Sequence, residues 1–110
     1  AAAIATLRTV LDERLAQRAH ELGCAWRETY EAEFNSMGCV RDVRQIGLML
    51  AVELEDPEHA DRVMYEGLRN GLSFKVGGGT TLVLFPPLNI EQHLLDDATR
   101  IVIDAIAATA

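Results

Sequence analysis

The side chains that most often carry out acid, base or metal chemistry are sparse in this sequence. Its three histidines, His20, His59 and His93, are far apart, and none belongs to a Cys/His pattern of the kind that holds zinc. We therefore expect no metal site, and we interpret the histidines as solvated positions on helices. The carboxylate pairs, Asp96-Asp97 and Glu53/Glu55, have no predicted cleft around them, so they are interpreted as solvated too.

A glycine-rich stretch, Gly77 to Thr81, is the one segment whose backbone could approach a phosphate closely. A phosphate loop opens a helix, so that the helix dipole contributes, whereas here a β-patterned run follows. The stretch is therefore predicted to be a hairpin turn.

Composition limits the classes of partner. Seventeen acidic against ten basic residues give a net charge of −7, which disfavours nucleic acid and anionic lipid. No apolar run is long enough to suggest a membrane span. Cys24 and Cys39 are predicted to be reduced core thiols, which points to the cytoplasm.

The first element is a helical stripe of apolar residues from Leu7 to Phe34, predicted as one long helix or as two with a kink near Gly23. Trp26 and Phe34 are assigned to the core. Gly38 is expected to end the helix in a left-handed conformation.

Two pairs of strands and two helices follow. A strand is predicted from Ile46 to Leu54, with a shorter edge strand or hairpin approach over 40–44 before it. Asp56-Pro57 is a helix start, and Gly71 closes that helix. Leu72, Phe74 and Val76 form one arm of a hairpin, and Leu82 and Leu84 lie on the other.

Asn89 and Gln92 resemble a capping box for the last helix. The buried face of that helix is predicted to comprise Ile90, Leu94, Ala98, Ile101, Val102, Ala105 and Ile106. The order predicts an α+β two-layer sandwich: a small, mostly antiparallel sheet with helices on one face. Residues 1–110 are expected to be a single domain, with 1–37 a linker or long helix and 38–110 the sheet with two helices.

Two blocks of this sequence carry a resemblance to a known family. The first is RQIGLMLAVEL from Arg44 to Leu54, and the second is GLSFKVGGGTTLVLFPPLN from Gly71 to Asn89. With the helical tail, they resemble the C-terminal small domain of class III pyridoxal-phosphate-dependent aminotransferases. The positions that fit are Arg44, Gly47, Leu48, Met49, Glu53, Pro86, Pro87 and Leu88, whereas Gln45 replaces a glycine of the family pattern.

The resemblance implies that the catalytic residues lie outside this chain. In that family the Schiff-base lysine, the aspartate that pairs with the pyridine nitrogen and the phosphate loop belong to the large domain. The single lysine here, Lys75, does not match the Schiff-base motif. The resemblance therefore implies no catalytic, cofactor-binding or metal-binding residue in this chain. Pyridoxal phosphate would be bound only by a longer parent protein, of which this chain, lacking an initiating methionine, is expected to be a fragment.

One position is singled out for the substrate. In acetylornithine- and ornithine-type members an arginine just ahead of Pro-Pro-Leu binds the substrate carboxylate, and the matching position here is Val83. This departure argues against those two specificities and leaves ω-amino-acid, amine and racemase-like members open. A pocket-lining role for Val83 and ordinary strand packing both remain open. Arg44 is assigned a structural role.

The resemblance favours an aminotransferase whose small domain forms part of the substrate pocket wall and which is inactive when severed. The expected partners are the large domain of the same polypeptide, an amine or amino acid substrate, and a second copy bound through the first helix. The same domain of a decarboxylase, epimerase or aminomutase is an alternative. A different class, a free-standing non-catalytic module that binds an effector or a protein, is also open.

Overall fold

A computed structural model describes all 110 residues. The elements are, in chain order, α1 (Ala2–Asp12), α2 (Leu15–Ser36), β1 (Val40–Ile46), β2 (Met49–Leu54), α3 (Pro57–Arg69), β3 (Lys75–Gly77), β4 (Thr81–Leu84) and α4 (Gln92–Thr109). The strands form a four-stranded sheet in the order β1-β2-β4-β3, and every pairing is antiparallel. The predicted α+β class is confirmed. No helix combines the length and apolar character needed to span a lipid bilayer.

The first helical segment is broken earlier than predicted. The break lies at Glu13-Arg14, where Arg14 adopts a left-handed conformation with φ of 50°. Gly23 lies inside α2 without a kink, and its role is different: a Cβ there would lie 2.3 Å from the carbonyl oxygen of Gly47. Glycine is therefore required at this position by the close approach of the β1–β2 hairpin to α2.

The end of α2 also differs from the prediction. Gly38 does not adopt a positive φ, and the helix ends instead at Met37 in an extended conformation. The left-handed glycine of this region is Gly47, with φ of 55°. Gly47 and Leu48 form the tight turn between β1 and β2, so the strand predicted over 46–54 is in fact the end of one strand, a turn and a second strand. The run of apolar residues is continuous across the turn, which is why the sequence pattern does not reveal it. The register pairs Ile46 with Met49, so Ile46 lies on the face opposite to Leu50.

The third helix begins and ends where the sequence predicts. Asp56 is the N-cap and accepts a hydrogen bond from the backbone N–H of Glu58, and Pro57 occupies the first helical position. Gly71, with φ of 90°, follows the helix.

The last helix begins at Gln92 rather than after an Asn89 cap, and its N-cap, Glu91, makes no side-chain capping bond. The preceding segment is held by Arg18 of α2, which donates to the backbone oxygens of Leu88 and Ile90. This tether fixes the chain in a turn at Asn89, so the helix starts later than the capping pattern indicated. Its buried residues are Leu95, Thr99, Val102, Ile103, Ala105 and Ile106. Leu94 is exposed and was assigned wrongly to the buried face, whereas Ala98 and Ile101 are half-buried.

The core lies between the helices and one face of the sheet. Trp26, Tyr30 and Phe34 of α2 are each 1% exposed. The rings of Trp26 and Tyr30 meet edge-on at a centroid distance of 5.8 Å, and those of Tyr30 and Phe34 are tilted at 5.2 Å. The indole N–H of Trp26 donates to the hydroxyl of Thr99 at 2.7 Å, which satisfies both groups where water cannot reach them. The core assignment of Trp26 and Phe34 is confirmed.

Candidate functional site

The sheet has one face covered by helices and one face that no element of this chain covers. Side chains alternate between the two faces along each strand. The residues that face the helices, and are buried there, are Leu50, Val52, Leu54, Leu82 and Leu84. The residues between them, including Ala51 and Val83, face outward and are half-buried. We call this second side the open face.

A row of four residues crosses the middle of the open face. The register pairs Arg44 with Ala51, Ala51 with Val83, and Val83 with Lys75. Because directly paired residues of antiparallel strands point to the same side, all four side chains lie on the open face. Val83, the position singled out in the sequence, is thus at the centre of this row and between two cationic residues.

A shallow cavity of about 310 Å³ lies over three residues of this row, Arg44, Ala51 and Val83, and Met49 also lines it. Next to it, a second cavity of about 260 Å³ is lined by residues that include Met49, Phe85 and Leu88. These apolar side chains are exposed, Met49 by 46% and Phe85 by 58%. This second cavity was not predicted, although the outward positions of the two β-runs were the sequence signal that could have revealed it.

The two cationic residues of the row, Arg44 and Lys75, differ in whether they form ion pairs within the chain. Arg44 donates to the carboxylate of Asp42 at 2.7 Å and to that of Glu53 at 3.4 Å. These two hydrogen bonds raise the pKa of Arg44, and they balance its charge within the sheet. Lys75 is exposed and forms no ion pair. The structural role predicted for Arg44 agrees with its two partners.

Gln45, which stands where the resembling family pattern has a glycine, faces the helices and forms hydrogen bonds there. Its amide nitrogen donates to the backbone oxygens of Gly23 at 2.7 Å and Gly47 at 2.8 Å, and its oxygen accepts from the hydroxyl of Tyr30. Burial raises the pKa of Tyr30 to about 12, which keeps its hydroxyl protonated as the donor. Gln45 thereby ties the hairpin that carries Arg44 and Met49 to α2.

The histidines do not cluster. His20 and His93 are exposed, as predicted, but His59 is only 4% exposed, so its assignment to solvent is wrong. Its Nε2 lies 3.2 Å from the carbonyl oxygen of Ile106 and 3.1 Å from the hydroxyl of Thr109. The ring joins α3 to the end of α4, and a position in the first turn of a helix gives no sequence signal of that contact.

No three residues among His, Cys, Asp and Glu come close enough to hold a metal ion. Both cysteines are free, but Cys24 is exposed and Cys39 is half-buried, so neither is fully within the core. Asp96 and Asp97 are exposed on α4, in agreement with a solvated role.

The glycine-rich stretch is a hairpin turn between β3 and β4, as predicted, with Gly78 and Gly79 at φ of 59° and 83°. It opens no helix, so it offers no dipole to a phosphate. Lys75 stands on an edge strand with only Val83 as its strand partner. These residues do not make a pyridoxal phosphate site by themselves, because no phosphate cradle accompanies the lysine.

Comparison with known proteins gives one consistent family. The sequence profile of the aminotransferase class-III family matches residues 1–106. The (R)-1-hydroxy-2-aminoethylphosphonate ammonia-lyase of Vibrio splendidus is 33% identical over 97% of this chain and 24% of the relative. The acetylornithine aminotransferase of Methanothermobacter thermautotrophicus is 32% identical over 92% of this chain and 25% of the relative.

The fold comparison agrees. The crystal structure of acetylornithine aminotransferase from Elizabethkingia anophelis superposes with a TM-score of 0.88 at 31% identity, over 96% of this chain and 27% of that protein. The chain spans about a quarter of the length of the relatives that it matches. This chain belongs to the class III aminotransferase family.

Proposed function

We propose that this chain is the C-terminal small domain of a pyridoxal-phosphate-dependent class III enzyme that transfers an amino group between an amine or amino acid and a 2-oxo acid. The observation that carries the proposal is a family match over 1–106 joined to relatives of which the chain spans a quarter. The free-standing module is not favoured, because relatives of this kind are far longer than the matched segment.

Within such an enzyme the open face is the natural wall of a substrate pocket. It presents Ala51 and Val83 beneath a shallow cavity that Arg44 borders. Lys75 lies next to Val83 on the neighbouring strand. When bound, pyridoxal phosphate withdraws electrons from the amine carbon and so supplies the chemistry. The residues of this chain would shape, orient and exclude water from the substrate, and the large domain would hold the cofactor.

The partners follow from the same proposal. Three large apolar side chains of α1, those of Ile4, Leu7 and Leu11, are exposed by 58%, 60% and 67%. Spaced three and four residues apart, they form one stripe that suits burial against the large domain or a second copy. Assembly as a homo-oligomer and a cytoplasmic location remain predictions.

A second candidate reaction is favoured by one observation. The 33%-identical relative from Vibrio splendidus is an ammonia-lyase acting on a hydroxylated aminoethylphosphonate. We keep ammonia elimination from a hydroxyamine as an alternative to amino transfer, since both begin with an amine held at the same site.

The test uses the full-length parent protein. We expect a Schiff-base absorbance band that changes when an amine is added, and formation of an amino acid from a 2-oxo acid. The 110-residue chain alone is the matched control and should show neither. Ammonia release without amino transfer would establish the alternative reaction, and a parent without a Schiff-base band would refute both. Sedimentation of the parent and of the chain at equal concentrations tests self-association, and a strictly monomeric parent would contradict it.

A further inference from the structure

We propose that Lys75 determines substrate specificity in this protein, by binding the oxyanion of an amine substrate whose body lies against Val83. The inference rests on the proposed function, in which the open face is a wall of the substrate pocket, and it adds the chemical class of substrate that the wall selects: an amine bearing a terminal carboxylate or phosphonate.

The first step is position. Lys75 pairs directly with Val83 in the β3–β4 ladder, and paired residues on one face have Cβ atoms about 4.5–5.5 Å apart. Gly77, on the same strand and face, adds no side chain, and a Cβ there would only touch a methyl group of Val83 at 3.5 Å. The lysine stem thus borders a half-buried apolar surface without a competing neighbour.

The second step is charge. The open face carries two acidic side chains, Asp42 on β1 and Glu53 on β2, and both are bonded to Arg44. Strand β4 separates Lys75 from β2, which places the two strands roughly 10 Å apart. Lys75 is therefore the cation of the open face that has no internal partner, in a chain whose net charge of −7 otherwise repels anions.

The third step is the shape of the remaining surface. Ala51 and Val83 are small and apolar, and Met49 and Phe85 extend the apolar surface at one end. A substrate whose carbon chain crosses this surface can place an oxyanion at Lys75. An ammonium group binds an oxyanion as a compact charge with three donors, so both planar and tetrahedral oxyanions fit it.

The experiment measures binding and turnover in the full-length protein with three amines of similar length: 3-aminopropanoate, 2-aminoethylphosphonate and uncharged 1-aminopropane. We expect Lys75→Met to weaken calorimetric affinity for both anionic amines by about tenfold to a hundredfold, the usual worth of a charge-assisted hydrogen bond. Affinity for 1-aminopropane should change less than about twofold. Lys75→Arg should restore most of the loss.

Arg69→Met is the matched control, because Arg69 is an exposed cation on α3 that pairs only with Glu66. It should leave all three affinities unchanged. If only one of the two anionic amines loses affinity, Lys75 binds the oxyanion of that amine, either the carboxylate or the phosphonate. Equal losses for all three amines, or no loss for either anion, would overturn the role of Lys75. Because binding is measured apart from turnover, an inactive parent with Lys75-dependent binding would refute the proposed reaction and support Lys75.

Discussion

Gly23 offers a sharp test of how the hairpin is packed on α2. Substitution by alanine places a Cβ 2.3 Å from the carbonyl oxygen of Gly47, so the two backbones must separate by about 1 Å to reach van der Waals distance. Both groups are main chain, Gly23 in α2 and Gly47 in the tight β1–β2 turn, so neither can yield by rotating a side chain. We therefore expect Gly23→Ala to be destabilising, although alanine is the better helix former.

Three contributions determine how much Gly23→Ala lowers the free energy of unfolding. Overpacking of this kind costs about 1–3 kcal/mol. The separation also disrupts the hydrogen bonds from Gln45 to the carbonyl oxygens of Gly23 and Gly47, each contributing about 1 kcal/mol. The gain in helix propensity returns about 1 kcal/mol. The net loss of unfolding free energy is about 2–4 kcal/mol.

The assay is urea unfolding of the 110-residue chain followed by the fluorescence of its single tryptophan, Trp26, which is 1% exposed. Two glycines serve as controls. At Gly67 the nearest atom to an added Cβ belongs to the ring of Phe74, at 2.7 Å, and a ring can move, so Gly67→Ala should cost less than Gly23→Ala. At Gly38 nothing lies within 4 Å, so Gly38→Ala should be within about 0.5 kcal/mol of wild type. A Gly23→Ala chain as stable as the Gly38→Ala chain would refute the close approach.

Two further predictions use the same unfolding measurement, and a third uses absorbance. Asp56→Ala removes the N-cap bond to Glu58 and should lower the unfolding free energy by about 1 kcal/mol, whereas Asp56→Ser should retain most of it; equal losses would exclude a capping role. Thr99→Val leaves the buried indole N–H of Trp26 without its acceptor and should cost about 1–3 kcal/mol, and a neutral result would contradict that bond. For Tyr30, the pKa raised to about 12 means that the phenol keeps its proton in the folded chain after the unfolded chain has lost it. The stability that this protonated phenol contributes is therefore complete below about pH 10 and is lost as the pH rises towards about 12. The phenolate absorbance of wild type minus that of Tyr30→Phe should show a titration near pH 12. A difference titration near pH 10 would be inconsistent with burial of the hydroxyl.

Local chemistry explains why parts of the fold were predictable. The start of α3 needs only an aspartate oxygen and a proline next to one another, and the β3–β4 turn needs only consecutive glycines. The alternation of Leu82 and Leu84 with Val83 sorts these residues between the two faces of the sheet. Each of these signals is contained within a few neighbouring residues, and in this fold no distant contact opposes it.

The sequence-based predictions that were wrong share a different cause. The start of α4 depends on Arg18, which lies some seventy residues earlier in the chain and holds the carbonyl oxygens of Leu88 and Ile90. The burial of His59 depends on the end of α4, and the requirement for glycine at Gly23 depends on the position of Gly47. None of these contacts is encoded in the neighbouring sequence, because each joins elements that meet only after folding.

The sequence by itself determined the α+β class, the family and the position of Val83 in an outward-facing strand register, because alternation and the two family-like blocks are local patterns. Only the tertiary structure decided what surrounds Val83. The order β1-β2-β4-β3 brings Arg44 and Lys75 to opposite edges of one face, and side-chain geometry gives Arg44 two carboxylates while Lys75 has none. Charge balance across a sheet depends on which strands become neighbours, and a linear sequence does not state that.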